Sequence, residues 1–283
     1  MTDVAHHTVR GVSAASGVTV DLVRTEADAR AAVAALAAVW PRPDGVEPLP
    51  PELAWVFAHS GNYVSVARAG DAVVGAAIAF RGEDEDGPHL HSHIAGVRQE
   101  WQGSNVGFAL KQHQRAWALA AGLDRVTWTF DPLVARNAYF NVVKLGARLT
   151  RYYVDFYGPM TDGINTGDET DRCLVTWLLA DERTTQAAAG QLAPVALDPA
   201  RRAGARPVLM VGTDSEPVRS AADGSVRLLQ VPADIVALRR SRPDTARAWR
   251  QALREVLVAA FADGLEVVGA TRDSWYLLAP SAS

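Results

Sequence analysis

The chain has 283 residues, 48% of them hydrophobic and 21% charged, with a formal net charge of −4. That is enough chain for one large or two modest domains with a real core. It excludes a broadly basic face, so no nucleic-acid partner is expected, and no run nears the ~20 apolar residues of a membrane-crossing helix.

The one cysteine, Cys173, cannot form an internal disulfide. In its apolar setting it reads as buried filler rather than a nucleophile. The N-terminus shows no basic stretch followed by an apolar run, so no secretory leader is read and a cytoplasmic location is expected.

Residues 1–17 are small and polar and read as a flexible tail. Val18–Arg24 alternates like a strand. Thr25–Trp40 is an alanine-rich helix with Thr25 as N-cap and Pro41 as stop, and Pro50–Ser60 is a second helix. Tyr63–Ala67 and Ala72–Phe80 are strands joined at Gly70-Asp71, with an acidic loop at Gly82–Gly87. Leu90–Val97 is a strand, Asn105–Ala121 a helix, Arg125–Phe130 a strand and Ala135–Leu145 a helix. Arg148–Tyr157 and Cys173–Leu179 are strands. This order predicts an α/β or α+β fold. Residues 181–206 read as a linker. Residues 207–283 read as a small α+β extension, with a strand at Val226–Val231, a helix at Asp244–Ala262 and a hairpin from Leu265–Ala270 to Ser274–Leu278. The extension completes the sheet, covers an acceptor cleft or pairs two copies as a homodimer; the sequence leaves these open.

The densest signal is Val97-Arg-Gln-Glu-Trp-Gln-Gly-Ser-Asn-Val-Gly-Phe-Ala-Leu-Lys111. A strand ends, a turn with Gly103, Asn105 and Gly107 follows, and a helix begins. Unpaired N–H groups and the helix dipole make such a helix start an anion site. Glycine lets a phosphate approach the backbone, and asparagine tolerates positive φ. The alternative is a tight turn with no ligand.

This stretch resembles motif A of the GNAT acyltransferases, Gln/Arg-x-x-Gly-x-Gly/Ala. Gln102 fills its first place, Asn105 replaces the middle glycine and Gly107 fills the last. The segment Asn137-Ala-Tyr-Phe-Asn141 through Lys144-Leu-Gly146 resembles a second GNAT segment. The resemblance covers residues 18–180 as the acyltransferase core. It implies a mixed, mostly antiparallel central sheet flanked by helices. It implies acetyl-CoA or another acyl-CoA as co-substrate, with its pyrophosphate on Gln102, Gly103, Ser104, Asn105, Val106 and Gly107. Pantetheine would lie in a gap between the Leu90–Val97 and Arg125–Phe130 strands, on the backbone of Ala95, Gly96 and Val97. Asn137 and Asn141, four apart on one helical face, would hold the pantetheine amides or the thiol.

Acylation of an amine needs a proton acceptor. His89, His91 and His93 stand at i, i+2 and i+4, on one face of a strand, and histidine titrates nearest neutrality. His91 and His93 hold the places of the histidine pair of the arylalkylamine N-acetyltransferases relative to motif A. This implies His93 as base, His91 as relay and His89 exposed at the strand edge. A metal pair and a purely structural pair remain open readings; no metal is expected. GNAT enzymes often place a tyrosine acid where this chain has Val142, which leaves Asn141 as the adjacent polar group. Asp131 either caps a helix or orients substrate. The acceptor is expected to be a small-molecule amine, an amino acid among the candidates, with Arg136, Arg148 or Arg151 on its carboxylate. The alternative function is a non-catalytic CoA-binding module.

Overall fold

A computed structural model describes residues 16–41, 45–158, 169–221 and 224–280, so the expected tail lies outside it except for Ser16 and Gly17. Two compact units divide part-way along a strand, after Trp128. The first runs to Trp128 and includes Leu178–Glu182; the second holds most of the remainder.

In the first unit, strand β1 (Thr19–Leu22) leads into helix α1 (Glu26–Val39), which Thr25 caps by accepting the Asp28 N–H. Helix α2 (Pro51–His59) follows, with proline in its first turn, where no N–H partner is lost. Strands β2 (Tyr63–Ala69), β3 (Ala72–Asp84) and β4 (Gly87–Val97) form an antiparallel meander. The stretch expected as an acidic loop is instead the end of this meander. β3 runs on to Asp84 and β4 starts at Gly87, because Arg125 pairs with Asp84 and holds the hairpin end. Helix α3 (Val106–Ala120) then precedes β5 (Arg125–Phe130), which lies parallel to β4. The sheet order is β1-β2-β3-β4-β5, mixed and mostly antiparallel.

Pleat alternation divides the sheet's faces. Val64, Val66, Ala76 and Ile78 pack with Val33 and Leu36 of α1. Each of the buried valines, leucine and isoleucine contributes about 1.5–3 kcal/mol. On the other face, the Tyr63 hydroxyl reaches His113 Nδ1 at 2.9 Å on α3.

The second unit holds helix α4 (Ala135–Tyr139), which widens into a π turn over Phe140–Lys144. Strands β6 (Arg148–Tyr153) and β7 (Arg172–Leu178) follow. The expected linker is not extended: helices α5 (Glu182–Ala188) and α6 (Leu197–Arg202) lie within it. Strands β8 (Arg206–Val211), β9 (Pro217–Arg219) and β10 (Arg227–Gln230) lead to helices α7 (Ile235–Ser241) and α8 (Pro243–Ala262). Strands β11 (Leu265–Ala270) and β12 (Trp275–Pro280) close the chain's described part. The strand order is β7-β6-β11-β12-β10-β8-β9. Residues 207–280 are therefore no separate appendage. Val267 of β11 pairs with Leu149 of β6, so they complete a sheet begun by β6 and β7.

Asp131 anchors this unit. Its buried carboxylate accepts both Arg250 terminal nitrogens, at 2.8 and 2.9 Å, and Arg239 at 2.6 Å. It also accepts the Leu133 N–H at 3.0 Å in a local turn; the N-cap of α4 is Val134, without a side-chain cap, so Asp131 does not fill the expected capping role. Burial would raise its pKa, but Arg250 and Arg239 outweigh burial and hold it far below the carboxylate range. Asp171 repeats the device, taking Arg254 at 2.8 Å through two bonds and the Tyr152 hydroxyl at 2.6 Å. Cys173 is wholly buried and its thiol is pushed well up by burial, so it is inert filler.

Candidate functional site

The turn before α3 is built to leave donors free. Asn105 enters the helix at φ 61°, with no side-chain cap. Ala109 donates to the Asn105 carbonyl. Among the described residues, the N–H groups of Gly103, Asn105, Val106 and Gly107 donate to no backbone carbonyl. Gly103 has φ 84°, and a Cβ there would meet nothing within 4 Å, so the backbone is open to approach. Gln102 through Asn105 are exposed. These are the donors, the dipole and the access that a diphosphate requires, with no cation needed. The Gln102 side chain ties the turn to the strand, donating to the Val97 carbonyl at 3.3 Å.

β4 and β5 form a fork. They pair only at Leu90↔Val126 and His91↔Thr127. From Ser92 onward β4 keeps its bonds to β3, with Ala95 opposite Ala77, Gly96 opposite Ala76 and Val97 opposite Gly75. Among the described residues no strand pairs with the other edge of Ala95–Val97, which can meet the amides of an extended ligand. Gly96 is glycine for another reason. A Cβ there would come within 2.9 Å of the Trp40 ring.

The histidines divide between two environments. His89 is buried, against the expected exposed edge position. Its ring lies over Gly82, where a Cβ would be 2.9 Å from Nε2, and its Nδ1 is 3.6 Å from Asp84. It belongs to the Arg125–Asp84 ion pair, not to the fork. His91 and His93 both pack on Phe80, with ring centroids at 5.1 and 6.1 Å. A β-bulge contributes: Ala79 faces Ser92 and Ile78 faces Ile94, so His93 is the extra residue. Bulges re-aim side chains beside active sites. His91 Nδ1 lies 3.3 Å from Thr127 Oγ1, across the last paired rung. Burial, then the charges of His93, His89 and Lys111, lower its pKa to about 4. Burial also lowers that of His93, which keeps part of its ring in solvent. Both are neutral at pH 7, the form that accepts a proton. The stronger depression makes His91 the poorer acceptor of the two.

A profile of the acetyltransferase (GNAT) family matches residues 30–141. The chain carries a GNAT acetyltransferase domain. Members of the family are enzymes that move an acetyl group from CoA to an amine. No curated protein sequence matches the chain. Among solved structures, an acetyltransferase of the GNAT family from Streptococcus pneumoniae is 17% identical. The match covers 57% of this chain and 98% of that one, at a TM-score of 0.46. YncA of Salmonella typhimurium, solved with its cofactor acetyl-CoA, is 16% identical over 58% of this chain and 95% of its own, at 0.45. The ribosomal-protein alanine N-acetyltransferase of Escherichia coli is 15% identical over 58% and 97%, also at 0.45.

In the second unit, Asn137 of the GNAT segment is exposed and Asn141 is 4% exposed, at the start of a π turn that the Leu145 N–H closes on the Phe140 carbonyl. Gly146 ends this helix at φ 74°, where a Cβ would stand 2.7 Å from the Arg183 carbonyl. Val142 is fully buried. Of the arginines expected on an acceptor carboxylate, Arg148 lies 3.7 Å from Glu266, while Arg136 and Arg151 are exposed. Among the described residues no cluster of three or more histidine, cysteine, aspartate or glutamate side chains could hold a metal. No described helix is long and apolar enough to cross a membrane.

Sequence reasoning passed over one residue at the fork. Lys111 is buried one turn into α3, and its ammonium donates to Ser92 Oγ at 2.9 Å and Gln114 Oε1 at 3.1 Å. It also lies 3.8 Å from the centre of the Trp128 ring. No sequence signal separates it, because Gln112, Gln114 and Arg115 of the same helix are buried as well.

Proposed function

We propose that the GNAT domain acetylates the primary amine of a small molecule, with His93 taking the amine proton and His91 relaying it. Acetyl-CoA would lie with its diphosphate on the N–H groups of Gly103–Gly107 and its pantetheine along Ala95–Val97. Asn137 and Asn141 stay the candidates for the pantetheine amides or the thiol. The amine must lose a proton before it can attack the thioester carbonyl. His93 is neutral, partly open to solvent and set out of the ladder by the bulge. His91 stands behind it on the same Phe80 ring.

The observation that carries this reading is the pairing of two neutral histidines on Phe80 beside a parallel fork that opens at His91↔Thr127. The test is His93→Ala, assayed with acetyl-CoA and a panel of small amines. Turnover should fall about 10²-fold or more, as for loss of a general base, while acetyl-CoA affinity stays near that of the parent. An unchanged rate removes His93 from the chemistry. Acetylation of peptide N-termini in preference to every small amine would replace the acceptor class.

A further inference from the structure

The two residues that follow the last paired rung of the fork are Ser92 and Trp128, and Lys111 touches both. It does so from the α3 side, whereas His91 and His93 lie with Phe80 on the other side of β4. A buried lysine is rare without a carboxylate partner, because an ammonium loses its hydration on burial. Among the described residues no carboxylate pairs with Lys111; its partners are a hydroxyl, an amide oxygen and an indole ring. A leucine or methionine would pack there at lower cost. Burial also lowers the amine's pKa to about 7, so it can give up and regain a proton near neutrality. Val142 fills the place of the usual tyrosine acid and carries no proton to give.

We propose that Lys111 is the proton donor to the departing CoA thiolate. The assignment rests on the acetyl-transfer reading above, with the thioester threaded through the fork. His93 removes one proton from the amine on the Phe80 side, and the amine nitrogen bonds to the thioester carbon. As the C–S bond breaks, its electron pair stays on sulfur, and sulfur takes a proton from the Lys111 ammonium. The nitrogen's second proton leaves as the amide forms, through His91 to solvent, and Lys111 regains one proton from solvent. His91 is the titratable neighbour whose charge Lys111 opposes. The proton that His93 took goes to solvent, so the balance closes on amide, CoA thiol and one proton.

The test reads the thiol of bound CoA by the ultraviolet absorbance of its thiolate as pH is raised. A thiolate and an ammonium in contact stabilise each other's charge, so the bound thiol should ionise about 1–3 pH units below free CoA. Lys111→Met should remove that difference and lower turnover about 10²-fold or more, with acetyl-CoA affinity kept. Lys111→Arg should retain the low thiol titration yet lose turnover, because guanidinium does not release its proton. It also serves if the methionine variant fails to fold. The same bound-thiol titration in parent and Lys111→Met, or full turnover in Lys111→Arg, overturns the assignment. If the parent binds CoA and acetylates amines while its bound thiol titrates like free CoA, this inference alone falls. If the parent binds no CoA, the acetyl-transfer reading falls with it.

Discussion

Replacing Asp131 with asparagine tests what holds the second unit together. The carboxylate is 8% exposed and faces Arg250, 2% exposed, and Arg239, 10% exposed. Three charge-assisted bonds of 2.6–2.9 Å meet on its two oxygens. The amide would keep the shape and one acceptor oxygen, but it would withdraw the negative charge that both buried guanidiniums face. Each bond to a charged group is worth about 1.5–3 kcal/mol. Those values are not additive on one carboxylate, so the better bound is the loss on breaking a buried pair, about 3–5 kcal/mol. At about 2–4 °C per kcal/mol for a unit of this size, Tm should drop by roughly 6–20 °C. Circular dichroism melts and urea titrations of both proteins measure this directly. The pH dependence adds an internal check. The folded pKa of Asp131 is depressed by Arg250 and Arg239. Its contribution is therefore present above the unfolded value of about 3.9 and is lost as pH falls below it. The stability gap between parent and Asp131→Asn should be constant from pH 7 to about 5 and narrow below about 4. A gap under about 1 kcal/mol at pH 7 would refute the view that this carboxylate is the anchor. So would a gap that stays unchanged through acid.

Two further outcomes bear on the site. Gly107→Val should abolish the thermal stabilisation given by CoA while leaving the far-ultraviolet spectrum unchanged, since a branched side chain would stand at the helix start the diphosphate must reach; normal stabilisation would place the diphosphate elsewhere. The acid limb of kcat/KM against pH should have its midpoint below about 6.5, because burial lowers the pKa of His93. A limb above about 7 that disappears in His93→Ala would contradict that environment.

The turn at Gln102–Gly107 was legible because its chemistry is local: glycines, a positive-φ asparagine and a helix start lie within six residues. The helices α1, α3 and α8 were legible for the same reason, through caps, stops and apolar periodicity. Period two also put His91 and His93 on one face, and Phe80 keeps them there through the bulge. His89 obeys the same period but lies among Asp84, Gly82 and Arg125, and only the chain's return as β5 brings Arg125 there. The π turn over Phe140–Lys144, in which Asn141 lies, has no signature in the local sequence pattern.

The sequence by itself determined the turn before α3, the longer helices and the family resemblance, since these depend on neighbours a few residues apart. Tertiary structure alone decided the rest. It joined residues 207–280 to β6 and β7 in one sheet, through pairing that no local pattern encodes. It set Arg239 and Arg250 on Asp131, 108 and 119 residues away in sequence. It placed Lys111 where β4 and β5 part, because a lysine's meaning depends on what buries it, and that comes from three separate elements meeting at one point.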